Sequence, residues 1–187
     1  VAHDRAGERI VFNCALERAK EGEAVSIYKN NTDFHGASYG CHEGYLISRS
    51  IPFEELKRAM LPFLVTRQIV AGAGKVGIEP ATKSDCTFQL SQRADFFTEE
   101  ASVDTLHNRP LVNTRDEPHA APRRYRRLHV ICGDANMSEY ATALKVGTTS
   151  LILPLPEMGF KPPIRLPRPI RPVNTVLRAL AFQRCPA

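Results

Sequence analysis

Tyr125-Arg126-Arg127-Leu128-His129-Val130-Ile131-Cys132, running on into Gly133-Asp134-Ala135-Asn136, is the stretch that decides how this chain folds. In an extended strand, successive side chains point to opposite faces. Leu128, Val130 and Cys132 then share one face, and Arg127, His129 and Ile131 share the other. The first face backs an apolar core, while a guanidinium and an imidazole project together from the second. Gly-Asp-Ala-Asn reads as a tight turn, after which Asn136 or Ser138 can cap a helix. That helix carries Met137, Tyr140, Ala141, Leu144, Thr148, Leu151 and Leu155 as an apolar stripe at helical spacing, ended by Pro154 and Pro156. On the upstream side, Asn113-Thr-Arg115-Asp116-Glu117-Pro-His119 forms a dense polar loop. The order is loop, strand, turn, helix.

Further out, the spacing of Ala6, Ile10, Val11 and Cys14 predicts a helix over His3–Lys20, stopped near Gly22. Ala24–Asn30 reads as a strand, followed by a polar loop with Gly36 and Gly40. A second strand is expected over His42–Arg49. Pro52 opens a helix with Leu56, Met60, Phe63 and Leu64 on one side, and Gly72-Ala-Gly74 breaks it. Short strands are expected near Lys75–Glu79 and Thr87–Arg93, then a less regular segment over Ala94–Pro110. Residues 1–157 are read as the folded body. Residues 158–187, with Pro162, Pro163, Pro167, Pro169, Pro172 and Pro186, are read as an extended, poorly ordered tail without a helix before about Val173–Phe182.

A net charge of +5 and a pI near 9.1 raise the question of nucleic acid. The position of the charge answers it. Lys161, Arg165, Arg168, Arg171, Arg178 and Arg184 all lie in the tail, which has no acidic residue, so the body is close to neutral. No nucleic-acid partner is expected. Five scattered cysteines with no Cys-x-x-Cys pair read as free thiols of a cytoplasmic protein. No apolar run approaches the roughly 20 residues of a membrane span, so no membrane partner is expected.

Several positions can carry chemistry. Alternation from His42 puts Gly44, Leu46 and Ser48 on its face, with Glu43, Tyr45 and Ile47 opposite. By itself His42 is more often a hydrogen-bonded structural histidine than a metal ligand. In Phe88–Arg93, alternation groups Gln89, Ser91 and Arg93, and an arginine there offers a fork for phosphate oxygens or a solvated strand end. Arg127 and His129, one pleat apart, suit a metal–nucleotide site. Arg115 can hold a phosphate or a carboxylate, or pair with Asp116 or Glu117 in its own loop. Gly72-Ala-Gly-Lys75 lacks the spacing of a phosphate loop. His3, His35 and His107 read as solvated.

Three strings carry a family resemblance: Asn113-Thr-Arg-Asp-Glu-Pro-His-Ala120, Arg126-Arg-Leu-His-Val130 and Gly133-Asp-Ala-Asn-Met-Ser-Glu139. They closely resemble the enzymes of the Pup modification system, the Pup–protein ligases and the Pup deamidase/depupylases, relatives of glutamine synthetase. The resemblance implies an α+β fold, with a curved antiparallel sheet covered by helices and ligands on its concave face. It implies ATP or ADP and magnesium as cofactors, and Pup and pupylated proteins as partners. His42, in Tyr39-Gly-Cys-His-Glu-x-Tyr-Leu46, and His129 match metal-binding positions. Gly44 matches a nucleotide-contacting position where the family usually has asparagine, and Arg93 and Arg127 match phosphate-binding arginines.

The resemblance covers about residues 1–157, the middle of a family chain more than twice as long. The family's first metal-binding glutamates and its catalytic aspartate come from segments before it, so no catalytic residue is expected here. Tyr28-Lys-Asn-Asn31 and Gly36-Ala-Ser38 look deamidase-like, which implies hydrolysis at Pup's C-terminal side chain. Cys41, Leu61–Gln68 and Gly72–Val76 look as much like the ligase, which uses ATP to join Pup to a lysine. A remnant that at most binds nucleotide is the third reading.

Overall fold

The computed structural model describes residues 1–77, 88–105, 109–164 and 166. Eleven elements follow one another: α1 (Ala2–Lys20), β1 (Cys41–Ser48), α2 (Phe53–Thr66), α3 (Gln68–Ala71), β2 (Lys75–Val76), β3 (Phe88–Gln89), β4 (Phe97–Ser102), β5 (Arg109–Asn113), β6 (Tyr125–Gly133), α4 (Glu139–Ile152) and α5 (Pro154–Glu157). A four-stranded sheet has the order β1-β6-β5-β4, and β2 pairs with β3 in a separate ribbon. The α+β class is as the family resemblance implies. Pairing is antiparallel except at one edge, where β4 runs parallel to β5.

The central strand behaves as its alternation predicts. Leu128, Val130 and Cys132 enter the core with Ile47 of β1 and Leu111 and Val112 of β5. Helix α2 covers this face. Pro52 opens it, and Glu54 and Glu55 in its first turn suit the positive end of the helix dipole. Leu56, Met60 and Leu64, four residues apart, are fully buried against the sheet. Truncating one of them to alanine is expected to cost about 2–5 kcal/mol.

Four expectations differ from the structure. Ala24–Asn30 forms no strand, and α1 forms where expected but buries no residue. Residues 97–102, placed in a less regular segment, are strand β4, and Arg109–Asn113 is β5. Arg93 is not on a strand, because β3 ends at Gln89 and residues 92–96 form a turn. The apolar stripe of α4 is not its buried face. Met137, Tyr140 and Leu151 are exposed, and Thr142, Lys145 and Thr149 face inward. The inward face works by polar contact: the Lys145 ammonium donates to the Asp134 carbonyl (2.6 Å) and to Asn136 Oδ1 (2.9 Å), so the turn after β6 rests on a buried charge. Ser138 stands at the helix start but makes no side-chain cap. The expected strand portions at 78–79 and at Thr87, and most of the tail, lie outside the described residues. Leu166 of the tail is partly buried against the core.

Candidate metal and nucleotide site

Strand register brings together residues that lie far apart in sequence. Gly44 pairs with His129 and Leu46 with Arg127. The ladder slips between Cys41 and Glu43: Cys41 faces Gly133 and Glu43 faces Val130, so Ile131 and Cys132 together oppose His42. Such a bulge re-aims side chains locally. The His42 and His129 rings lie edge to face with centroids 5.2 Å apart. His42 Nδ1 and His129 Nε2 are 3.4 Å apart. His42 is exposed and His129 buried.

Cations surround this pair. Burial, then the charges of Arg93, Arg109 and Arg127, lower the pKa of His42. Burial, then Arg127, His42 and Arg115, lower that of His129 to about 4. Both imidazoles are therefore neutral at pH 7, the form that offers a lone pair to a metal. His129 Nδ1 is buried without a protein partner. Among the described residues no group of three or more His, Cys, Asp and Glu side chains gathers to hold a metal. The donors here fit part of a site for a divalent cation, and oxygen ligands would have to come from elsewhere, because hard cations favour them.

The arginines divide by what their donors already hold. Arg127 lies beside Gly44, where an added Cβ would stand 3.1 Å from its Nε. The backbone N–H of Arg127 donates to Asp116 Oδ1 (3.1 Å), and Asp116 Oδ2 pairs with Arg49 at 2.6 Å. Asp116 therefore anchors the polar loop to β6 and does not pair with Arg115. Arg115 stays exposed, with Glu117 at 4.0 Å as a loose partner. Arg93 is fully buried, with Nε donating to Ser38 Oγ (3.0 Å) and Nη1 to the carbonyls of Ile131 (2.6 Å) and Gly133 (2.9 Å). These are the carbonyls at the β6 bulge. Only Nη2 of Arg93 has no protein partner.

The sequence pattern missed Arg109, whose charge reaches both His42 and Arg93. Its signal was the alternation in Arg109-Pro-Leu-Val-Asn113, which puts Arg109 on the face of Asn113, and Asn113 pairs with His129. The turn residue Asp134 is structural. Fully buried, it accepts from Ser91 Oγ (2.9 Å) and from the backbone N–H groups of Ala73 (2.9 Å) and Gln92 (3.0 Å).

Comparison with known proteins places this geometry in a family. The profile of the family described as Pup-ligase protein matches residues 1–185. A depupylase of Acidothermus cellulolyticus is 57% identical over 162 residues, 86% of this chain and 32% of that protein. A Pup–protein ligase of Nakamurella multipartita is 50% identical over 193 residues, 96% of this chain and 42% of that protein. The chain thus spans well under half the length of these relatives. The structure of the Pup ligase PafA in complex with ADP superposes with a TM-score of 0.76 at 43% identity, covering 95% of this chain and 39% of that one. PafA in complex with Pup gives 0.74 at 41% identity, covering 95% and 35%. No helix among the described residues is long and apolar enough to cross a membrane. Across nearly its whole length, this chain belongs to the Pup-ligase family.

Proposed function

We propose that this chain forms the metal- and nucleotide-facing sheet of a cytoplasmic Pup deamidase/depupylase, which hydrolyses an amide or isopeptide bond at the C-terminal side chain of Pup. The observation that carries the site is the neutral His42–His129 pair lying in the field of four arginines. His42 and His129 would hold magnesium through ring nitrogens. Bound there, the ion would supply positive charge to phosphate oxygens and to charge developing at the scissile carbonyl. Arg127 and Arg115, with Nη2 of Arg93, would meet the phosphates of ATP or ADP. Gly44 contributes backbone and space rather than a side chain. Because a hard divalent cation needs oxygen ligands that this group does not provide, this chain alone is expected to bind Mg–ADP weakly and to turn over nothing.

The 57% identity with a depupylase supports the hydrolase branch. The ligase reading has its own support, since the two solved structures compared above are ligases and several curated ligases match at 48–50%. Two chimeras separate them, each adding to this chain the remaining segments of one relative, the Acidothermus depupylase or the Nakamurella ligase. The depupylase chimera should release Pup from a conjugate. If only the ligase chimera works, and it forms the isopeptide bond, the hydrolase reading is wrong.

A further inference from the structure

Behind the sheet, opposite His42, lies a buried ionic group that the site itself does not use. Glu43 is 6% exposed and Arg67 2%. Arg67 grips both oxygens of Glu43, Nη1 to Oε2 at 2.7 Å and Nη2 to Oε1 at 2.8 Å. Nη1 also donates to Thr149 Oγ1 of α4 (2.7 Å), and Nη2 reaches Cys132 Sγ of β6 (3.8 Å). The Tyr45 hydroxyl donates to Glu43 Oε2 at 2.5 Å. Arg67 sits at the junction of α2 and α3, so one side chain ties both helices to β1, β6 and α4. Gly133 leaves the room: a Cβ there would stand 2.6 Å from Glu43 Oε1.

The place of this pair in the ladder gives it a second consequence. In the middle of β1, Tyr45 and Ile47 hold the strand's phase by packing on the core. Towards its start no apolar side chain does so, because Gly40, Cys41 and His42 are all at least partly exposed. Glu43 is the last inward-facing residue before the bulge. A slip of one residue sends every following side chain to the other face, and a bulge is where the ladder tolerates a slip most easily. We propose that Arg67 is a positioning residue for His42: by holding Glu43 on the buried face, it keeps His42 on the open face against His129. This rests on the reading of His42 and His129 as a metal-binding pair.

The physical test uses the uncompensated charge. In Arg67→Met the Glu43 carboxylate loses its ion-pair partner, keeps only the neutral Tyr45 hydroxyl, and is drawn towards water, which turns position 43 outward and His42 away from His129. Adding Glu43→Leu removes the charge and restores an inward-seeking side chain without restoring any ion pair. Two readouts follow on the 187-residue chain: nuclear Overhauser contact between the His42 and His129 rings, and Mn2+ affinity from broadening of their ring signals. Arg67→Met should lose the ring contact and bind Mn2+ about 10–100-fold more weakly, the range for residues that orient metal ligands. Arg67→Met/Glu43→Leu should recover both.

Should Arg67→Met not fold, Arg67→Lys carries the test, since a single ammonium cannot grip both oxygens; about a tenfold loss is expected, the low end of that same range. Wild-type ring contact and affinity in the single variant, or no recovery in a folded double variant, overturn the proposal. If the unmodified chain binds no Mn2+, the metal reading fails, while the ring contact still decides whether Arg67 positions His42.

Discussion

Gly40→Ala is expected to be among the most damaging single substitutions in this chain, and its cost divides into two measurable parts. Gly40 has φ +112°, a conformation that residues with a Cβ rarely adopt. Strain of this kind costs about 1–3 kcal/mol. An added Cβ would also stand 2.2 Å from Nη1 of Arg93 and 2.6 Å from its Cζ, so the guanidinium must move. That Nη1 holds the Ile131 and Gly133 carbonyls. A hydrogen bond from a charged donor contributes about 1.5–3 kcal/mol, and losing one leaves a buried carbonyl unpaired. The total expected is about 2.5–6 kcal/mol by the same magnitudes. Gly36→Ala is the internal control, with φ +96° and nothing within 4 Å of the added Cβ. Urea unfolding of both variants should show Gly40→Ala less stable by about 2 kcal/mol or more. In an Arg93→Ala background the excess should vanish, as a double-mutant cycle would report. Equal losses at Gly36 and Gly40, or an excess that survives without Arg93, would refute the reasoning.

Acidification should destabilise the fold through His129. The native ring resists protonation down to about 4, while the unfolded chain takes up the proton near 6.5. The unfolded state therefore binds more protons across that window, and stability is full above it and lost as pH falls through it. About 2 kcal/mol is expected after allowing for solvent at the open face; denaturation at pH 7 and pH 4.5, with His129→Gln as the flat comparison, measures it, and identical slopes would count against it. Gly44→Ala crowds Arg127 without adding a polar group, so ADP should bind more weakly by about 0.5–1 kcal/mol in calorimetry. Gly44→Asn, which adds an amide beside Arg127, should bind ADP more tightly than Gly44→Ala, and equal affinities would exclude a role for this position. Asp134→Asn puts an amide donor among three donors, and thermal unfolding should report a loss of about 1–3 kcal/mol; an unchanged midpoint would show that the turn does not depend on its carboxylate.

The sequence made the face of β6 legible because period-two alternation is local and strict. Arg127 and His129 could be placed outward, and Leu128, Val130 and Cys132 inward, without knowing what lay beside them. His42 and Gly44 followed by the same rule on β1. What no local pattern announces is the pairing of residues 87 positions apart, or the slip that sets Ile131 and Cys132 against His42 alone. Strand β4 was missed because Phe97-Thr-Glu-Glu-Ala-Ser shows little alternation, and its parallel partner β5 begins with Arg-Pro. The face of α4 was misread because apolar spacing is a proxy for burial. In α4 the buried face instead carries Thr142, Lys145 and Thr149.

Arg93 shows the deeper reason. Its residue type and planar fork suit phosphate binding, yet its donors go to Ser38 and to carbonyls at the bulge, and the bulge is a product of tertiary register. The charged and ionisable residues around this site fall into two sets of the same types. His42, Arg109, Arg115 and Arg127, with the buried ring of His129, bear on the face of the proposed site, whereas Glu43, Arg67, Arg93, Asp134 and Lys145 lie buried behind it and hold it in place. Alternation separates the sets only where both lie on one strand, as Glu43 and His42 do. Elsewhere the distinction is one of burial, and a buried charge persists only where other elements satisfy it. Substitution can tell the sets apart in the assembled protein. Loss of an open-face residue should change ligand affinity with little change in stability, while loss of a buried one should change both. Arg93 has Nε and Nη1 engaged with Ser38 and the β6 carbonyls and a buried, unpaired Nη2; if Nη2 also serves the nucleotide as proposed, Arg93→Lys should lower stability and nucleotide affinity together.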